Sequence, residues 1–199
     1  MSVPIILASG SRIRATLLRN AGLEVEAMPP RVDEDAVKAA LIAEGAPPRD
    51  IADALAELKA RKLSEKHPGV LVIGCDQVLD FEGALLSKPE TPEAALDQLR
   101  QMRGKRHKLL SAAVICRDGQ PEWRHVGQVR LTMREVSDGY LQDYVDRNWD
   151  SIRHSVGAYK LEEEGVRLFT AIDGDYFTVL GMPLLELLNF LMLRGAIDA

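Results

Sequence analysis

The feature that most constrains the fold is a continuous apolar run of strand length, Val70–Gly74. An unbroken run of this kind indicates a strand that is covered on both faces, as in a sheet flanked by helices. Further strands are predicted at Met1–Ala8 and Leu109–Cys116, with helical patterns between them. Two pairs of strands look hairpin-linked, one of them turning at Glu82–Gly83. The sequence therefore predicts an α/β fold with a mixed, twisted sheet and flanking helices.

Capping residues and short periodic segments predict several element boundaries. A short helix is expected from about Glu34 to Glu44, and short strands at Val166–Ala171 and Tyr176–Val179. Four further helices are predicted to begin at residues that suit a helix N-terminus. These residues are Asp50, Thr91, Ser137 and Pro183.

Composition limits the class of protein. The chain has 199 residues, which suits one domain spanning residues 1–199. The net charge of −5 weighs against a protein that coats a nucleic acid polymer. Cys75 and Cys116 lie far apart in apolar runs, which predicts buried, reduced thiols rather than a disulfide.

Neither end of the chain reads as a membrane or export signal. The N-terminus has no basic segment before its short apolar run, so a signal peptide is not predicted. The apolar stretch Phe177–Leu193 is interrupted by Gly181 and Pro183, which favours a turn and a buried helix over a membrane span. We therefore expect a cytoplasmic protein with no membrane partner.

A loop of small residues, Ser9–Ser11, leads from the first strand into a helix that carries Arg12 and Arg14. Small residues let a ligand approach the backbone, and a helix N-terminus favours phosphate. The same pattern also fits a serine N-cap with solvated arginines. Asp76 and Gln77 are expected at the C-terminal end of the buried strand, the edge where ligands bind in open α/β sheets. There, a carboxylate can hold a divalent metal or take a proton from water.

Three other segments allow both a functional and a structural interpretation. The acids of Val32–Asp35 could bind a metal or could be N-terminal charges of the next helix. Lys59 could point inward to a phosphate or extend its stem along the surface. Lys88 precedes a proline after the hairpin, a position where most lysines are surface residues.

In this order, these segments resemble the Maf family of nucleoside triphosphate pyrophosphatases, from Leu7 to about Leu191. The residues that carry the match are Leu7–Ser11 with Arg14, Leu17 and Leu18; Val32–Glu34; Leu58–Ala60; Ile73–Gln77; Lys88 and Pro89; Gly104 with His107; Gly157–Tyr159; and Gly174–Tyr176 with Gly181–Leu184.

The resemblance implies a fold similar to that of inosine triphosphate pyrophosphatases, with two lobes around a nucleotide cleft and a homodimeric assembly. It also implies hydrolysis of a nucleoside triphosphate to the monophosphate and pyrophosphate with a divalent cation, Mg²⁺ or Mn²⁺. Asp76 matches the position of the proton acceptor, and Glu34 with Asp76 is predicted to hold the metal. The other matching polar positions of the cleft are Ser9, Arg14, Lys59, Gln77 and Lys88.

Base preference is the finest prediction. Gln77 and Glu162 match the subgroup that resembles 7-methyl-GTP pyrophosphatases, so both are predicted to bind substrate. Ile13 stands where that subgroup often has tryptophan, so the aromatic platform for a cationic base is missing. Glu162 could also belong to a solvated charged turn, Glu162–Glu164. The alternative function is a non-catalytic nucleotide sensor that regulates septum formation through a cell-division protein.

Overall fold

The computed structural model describes residues 4–198, so the first three residues of the predicted N-terminal strand lie outside the described residues. The described chain forms one mixed sheet of seven strands in the order β2-β1-β3-β5-β6-β7, with β4 paired to β3. The strands are β1 Ile5–Ala8, β2 Val25–Ala27, β3 Leu71–Phe81, β4 Ala84–Leu86, β5 Arg106–Arg117, β6 Gln120–Met133 and β7 Phe169–Asp173. β1 pairs in parallel with β2 and β3, and the remaining pairs are antiparallel. The predicted mixed α/β fold is confirmed.

Helices flank both faces of this sheet. They are α1 Arg12–Asn20, α2 Glu34–Ala43, α3 Pro48–Ser64, α4 Pro92–Met102, α5 Asp138–Ile152, α6 Tyr176–Val179 and α7 Leu184–Leu193, with short 3-10 helices at Val156–Ala158 and Glu164–Leu168. One face is covered by α1 and α7 at one end and by α4 and α5 at the other. The opposite face is covered by α3, whose Leu55 and Ala56 pack with Val72 and Val114 of the sheet. This arrangement explains why the central strands are apolar on both faces.

Three of the four predicted helix starts are confirmed: Pro183 directly precedes α7, and Thr91 and Ser137 cap their helices with hydrogen bonds. The Thr91 hydroxyl accepts a hydrogen bond from the Ala94 N–H, and Ser137 caps α5 by accepting from the Tyr140 N–H. The predicted Asp50 cap is wrong, because α3 begins at Pro48. Proline is well suited to the first helical position, and Asp50 then lies in the first turn, where its charge complements the helix dipole.

The segment Tyr176–Val179 was predicted to be a strand and is instead one helical turn, α6. Asp175 caps this turn, since its carboxylate accepts a hydrogen bond from the Thr178 N–H at 2.7 Å. Local capping therefore overrides the β-propensity of the aromatic and β-branched residues. The predicted strand Val166–Ala171 is also shifted, because its first residues belong to a 3-10 helix and β7 begins at Phe169.

Strand β3 runs past the point where the sequence predicts its end. Its pairing with β1 stops where Ala8 faces Gly74, but its antiparallel pairing with β5 continues to Asp80. Asp76 therefore lies inside a long strand, not at its C-terminal end, and it borders a cleft because β1 has already ended beside it. The two cysteines are buried and free, as predicted. Among residues 4–198, no helix is long and apolar enough to cross a membrane.

Candidate active site

A large cleft, about 1570 Å³ in volume, opens where β1 ends beside β3. One side is formed by the β1–α1 loop, α2 and α3, and the other by the segment from the end of α5 to residue 163. All eight residues predicted from the sequence line this cleft. They are Ser9, Arg14, Glu34, Lys59, Asp76, Gln77, Lys88 and Glu162.

The centre of the cleft is a buried lysine between two carboxylates. The Lys59 ammonium donates to Asp76 Oδ1 at 2.7 Å and lies 2.7 Å from Glu34 Oε2. Lys59 and Asp76 are only 6% and 8% exposed, whereas the Glu34 side chain is 45% exposed. Lys59 thus points inward, which resolves the two interpretations left open by the sequence. The Lys59 ammonium and one oxygen atom from each of the two carboxylates therefore meet at one point of the cleft wall.

In the acidic segment at the start of α2, the neighbouring residues Asp33 and Glu34 have different roles. Asp33 caps α2 by accepting a hydrogen bond from the Ala36 N–H at 3.0 Å. Because the cap fixes the start of the helix, Glu34 falls in its first turn, from which it reaches Lys59. One of these acids is therefore structural and the next belongs to the cleft.

The β1–α1 loop forms the neighbouring part of the wall. The Ser9 hydroxyl accepts a hydrogen bond from the Ser11 N–H at 3.1 Å, and Ser11 caps α1. The Arg14 guanidinium donates to the main-chain carbonyls of Gly181 and Cys75 at 2.8 and 3.1 Å. It also lies 3.4 Å from the Ser9 hydroxyl. Such contacts fix the direction of a guanidinium, as a phosphate-binding site requires. We call Ser9, Arg14, Lys59 and Asp76 the inner wall.

Apart from Glu34, which contacts Lys59, three predicted residues lie outside the inner wall and differ from it. Lys88 and Glu162 are exposed, and among residues 4–198 they make no hydrogen bond or ion pair; we call these two residues the outer rim. Gln77 lines the cleft, but its amide Nε2 donates to the carbonyls of Thr178 and Val179 at 3.1 and 2.9 Å. The donor that could read a base is therefore already engaged by the protein.

The acidic turn Glu162–Glu164 is not uniformly solvated. Glu164 binds Arg147 and Asn148, and these contacts lower its pKa to about 2. Glu163 accepts hydrogen bonds from the Ser151 hydroxyl. Glu162 and Glu163 both border the cleft, and of the three acids only Glu162 has no hydrogen-bond or ion-pair partner among residues 4–198.

Sequence reasoning missed part of the cleft lining. Ser151, Tyr159 and Lys160 also border it, and Lys160 donates to Ser151 at 2.6 Å. Tyr159 belongs to a matched family segment, but no pattern indicated its position. Its hydroxyl contacts Nε2 of buried His107 at 2.7 Å. Burial lowers the pKa of His107 to about 4, so this histidine is neutral at pH 7.

The structure also argues against a cysteine nucleophile. Cys75 is fully buried in β3, and burial raises the pKa of its thiol to about 11. A thiol of that pKa stays protonated at neutral pH, and the thiolate is the reactive form.

The oxygen ligands suit a hard divalent cation that is shared with a substrate. Glu34 Oε2 and Asp76 Oδ1 both contact one Lys59 nitrogen, so they are within reach of a common ion. Residues 4–198 contain no cluster of three or more histidine, cysteine or acidic side chains that could hold a metal alone. Mg²⁺ commonly binds through one or two carboxylates plus water and substrate phosphates, so this pair fits it.

Several known proteins resemble this chain over nearly its whole length. A nucleoside triphosphate pyrophosphatase from Ruegeria pomeroyi is 73% identical over 198 residues, with 100% of both chains covered. A protein of the same name from Caulobacter vibrioides is 53% identical, covering 98% of this chain and 97% of the relative. A 7-methyl-GTP pyrophosphatase from Brucella abortus is 48% identical, with 100% of both chains covered.

A solved structure of a nucleoside-triphosphatase, a dITP/XTP pyrophosphatase from Mycobacterium abscessus, aligns with 16% identity and a TM-score of 0.44, covering 95% of this chain and 100% of that one. A family model described as Maf-like protein matches residues 4–193. The family match and the identities of the relatives confirm the resemblance seen in the sequence: the chain belongs to the Maf family.

Proposed function

We propose that this protein hydrolyses a nucleoside triphosphate to the monophosphate and pyrophosphate with the help of a divalent cation. The observation that carries the proposal is the inner wall, where a buried carboxylate, a buried ammonium and an oriented guanidinium line one cleft. Relatives at 73% and 68% identity carry the name nucleoside triphosphate pyrophosphatase, which confirms the predicted class of enzyme, a hydrolase.

In the proposed reaction, a water oxygen forms a bond to the α-phosphorus and the bridging bond to the β-phosphate breaks. The water proton passes to Asp76, and pyrophosphate leaves with the bond electrons. Lys59 lies against Asp76, so one positive charge serves both to orient the base and to attract the phosphates. Arg14 and Lys88 add charge along the triphosphate. Stabilising developing charge by fixed groups is the main source of acceleration in such reactions.

Glu34 and Asp76 would hold the cation, because their oxygens approach one point. When bound, a divalent cation neutralises phosphate charge and lowers the pKa of a coordinated water. Lys59 bridges the two carboxylates, so its ammonium lies beside the place where the cation would bind.

We propose a base preference nearer 7-methyl-GTP than dTTP or UTP. Glu162 supports this, because its carboxylate lines the cleft without a protein partner among residues 4–198 and can accept hydrogen bonds from a guanine edge. The name of the Brucella abortus relative points the same way. Gln77, also predicted from the sequence to bind substrate, adds no support for this preference, because its amide hydrogens are engaged within the protein.

One assay tests both levels of the proposal. The purified protein is given 7-methyl-GTP, GTP, UTP and dTTP under one Mg²⁺ condition, and the products are separated by ion-exchange chromatography. We expect monophosphate and pyrophosphate, with the largest kcat/KM for 7-methyl-GTP. Release of inorganic phosphate would reject the reaction, and a clear preference for UTP or dTTP would reject the base assignment. Saturable binding without hydrolysis would favour the alternative function, a non-catalytic nucleotide sensor that regulates septum formation. The cell-division partner of such a sensor and the homodimer both stay predictions.

A further inference from the structure

The segment Tyr176–Gly181, which we call the 176–181 turn, packs against the sheet between the cleft and β6. Val179 and Leu180 border the cleft, while the buried Thr178 faces Gly127 of β6. The turn is short, so its own hydrogen bonds give little rigidity. Its position depends on side chains that reach it from the sheet.

Two residues of the sheet hold the middle of this turn. Gln77 Nε2 donates to the carbonyls of Thr178 and Val179, and the Ser111 hydroxyl donates to the Thr178 carbonyl at 2.7 Å. Gln77 Nε2 also lies 2.9 Å from the Ser111 hydroxyl. Of the two ends of the Gln77 amide, only the NH₂ group can donate to two carbonyl oxygens, and the oxygen cannot. The orientation of the amide therefore follows from its surroundings.

Strand geometry separates Gln77 from Asp76. Successive side chains on a strand point to opposite faces of the sheet. Asp76 faces α3, where it contacts Lys59, and Gln77 faces the 176–181 turn. The two adjacent residues therefore have different tasks, although they stand together in the sequence motif.

The other end of the turn holds Arg14. Arg14 Nε donates to the Gly181 carbonyl at 2.8 Å, and Nη1 donates to the Cys75 carbonyl at 3.1 Å. Among residues 4–198, Nη2 makes no protein hydrogen bond, which leaves that edge of the guanidinium for a ligand. The direction of Arg14 thus depends on where Gly181 lies.

Close packing leaves the turn little room to shift. A Cβ atom at Gly127 would lie 2.7 Å from Thr178 Oγ1, and one at Gly181 would lie 3.1 Å from the Arg14 guanidinium. Gly181 also has φ +99°, a conformation that side chains with a Cβ rarely adopt. Both glycines allow the turn to sit tightly between β6 and Arg14.

We propose that Gln77 and Ser111 are positioning residues that act on the substrate through the 176–181 turn and Arg14, and that they tune affinity for the polyphosphate rather than for the base. Ser111 is fully buried and does not border the cleft, so it cannot touch a nucleotide. The inference rests on the proposed function only in that the cleft binds a polyphosphate.

Inorganic tripolyphosphate is the decisive probe, because it carries the phosphates without a base. Its affinity is measured by calorimetry for the wild type, Ser111→Ala and Gln77→Met, with melting temperatures recorded to show that each variant is folded. We expect both variants to weaken tripolyphosphate binding by about three- to thirty-fold, since small misplacements of a binding group have effects of this size or larger. The ratio of kcat/KM between GTP and UTP should not change.

A double-mutant cycle with Arg14→Ala identifies the route. If Ser111 acts through Arg14, adding Ser111→Ala to Arg14→Ala should change tripolyphosphate affinity by about twofold or less. Additive effects, or an unchanged affinity in folded Ser111→Ala, would overturn the inference. If Ser111→Ala does not fold, Gln77→Met carries the same cycle.

The two proposals fail in different ways. A wild type that binds tripolyphosphate but hydrolyses no nucleotide would reject the proposed function and still allow the cycle. A base-reading role for Gln77 would show as an altered GTP-to-UTP ratio with unchanged tripolyphosphate affinity. That result would overturn the positioning role.

Discussion

The inner wall and the outer rim of the cleft differ in how firmly their side chains are held. Lys59 and Asp76 are buried and paired, and Arg14 is fixed by two main-chain carbonyls. Lys88 and Glu162 are exposed and make no hydrogen bond among residues 4–198. Groups that are oriented before the substrate arrives lose less conformational entropy on binding it. The structure is thus preorganised for phosphate chemistry, and its outer residues are free to adapt to the rest of the nucleotide.

This difference has a cause in the fold. The inner wall is built from β1, β3, α1 and α3, which pack into two buried clusters on opposite faces of the sheet. The outer rim comes from the loop after β4 and from the turn after the first 3-10 helix. Loops on the surface tolerate sequence change more readily than packed elements. We therefore expect the reaction type to be fixed by the inner wall and the base choice by Glu162 of the outer rim.

The largest expected effect is that of Asp76→Asn on the inner wall. Asparagine keeps the shape of the side chain and can still accept a hydrogen bond from Lys59, but it cannot take a proton from water. We expect kcat to fall by about a hundredfold or more, the range for losing a general base. Steady-state rates with the preferred nucleotide measure this, with the melting temperature as a check on folding. Near-normal turnover would remove Asp76 from the role of base.

The sequence was sufficient to predict the mixed sheet, most helix starts and the eight cleft residues, because these depend on periodicity, capping and a recognised motif order. It failed where tertiary contacts decide. The end of β3 could not be read, since the strand continues only because β5 pairs with it beyond Gly74. The helical turn at Tyr176–Val179 depends on one capping bond from Asp175.

Side-chain direction was equally hidden. Lys59 could be placed on the flank of a helix, but only the structure shows it between Glu34 and Asp76. Gln77 follows Asp76 in the sequence, and both were expected at the same edge of the sheet, with Asp76 as base and Gln77 as a substrate-binding residue. The alternation of the strand and the distant Thr178 carbonyl give Gln77 a different role. Residues far apart in the chain supply these partners, so no local pattern could reveal them.

A second prediction concerns buried His107, which contacts Tyr159 of the cleft lining. His107 is buried against Tyr159, and its pKa of about 4 lies below the ordinary 6.5 because burial disfavours its charged form. The unfolded chain therefore binds a proton that the folded chain does not bind between these values. The contribution of His107 to the free energy of unfolding should be fully present above pH 6.5. It should fall as the pH drops toward 4, by up to about 1.4 kcal/mol per pH unit.

The check is urea unfolding of the wild type and His107→Gln at several pH values. The variant should lose part of the slope of unfolding free energy against pH, whatever its absolute stability. The matched control is His67→Gln, because His67 lies outside the buried core. Equal slopes in the wild type and His107→Gln would show that the histidine does not contribute to acid sensitivity.

The smallest expected effect is that of Glu162→Gln on the outer rim. The change removes a charge and keeps one acceptor oxygen, so a guanine edge would lose only a charge-assisted hydrogen bond. We expect the kcat/KM ratio of 7-methyl-GTP to UTP to fall by about three- to tenfold, with little change in kcat for UTP.

Glu163→Gln is the matched control, because Glu163 is next in sequence but already bound to Ser151 and Lys160. Equal shifts in both variants would indicate a general effect of charge, and no shift in either would move base recognition away from this turn. If the kcat/KM ratio shifts in Glu162→Gln alone, base preference depends on this one carboxylate of the outer rim. The inner wall cannot account for the shift, since it is intact in both variants.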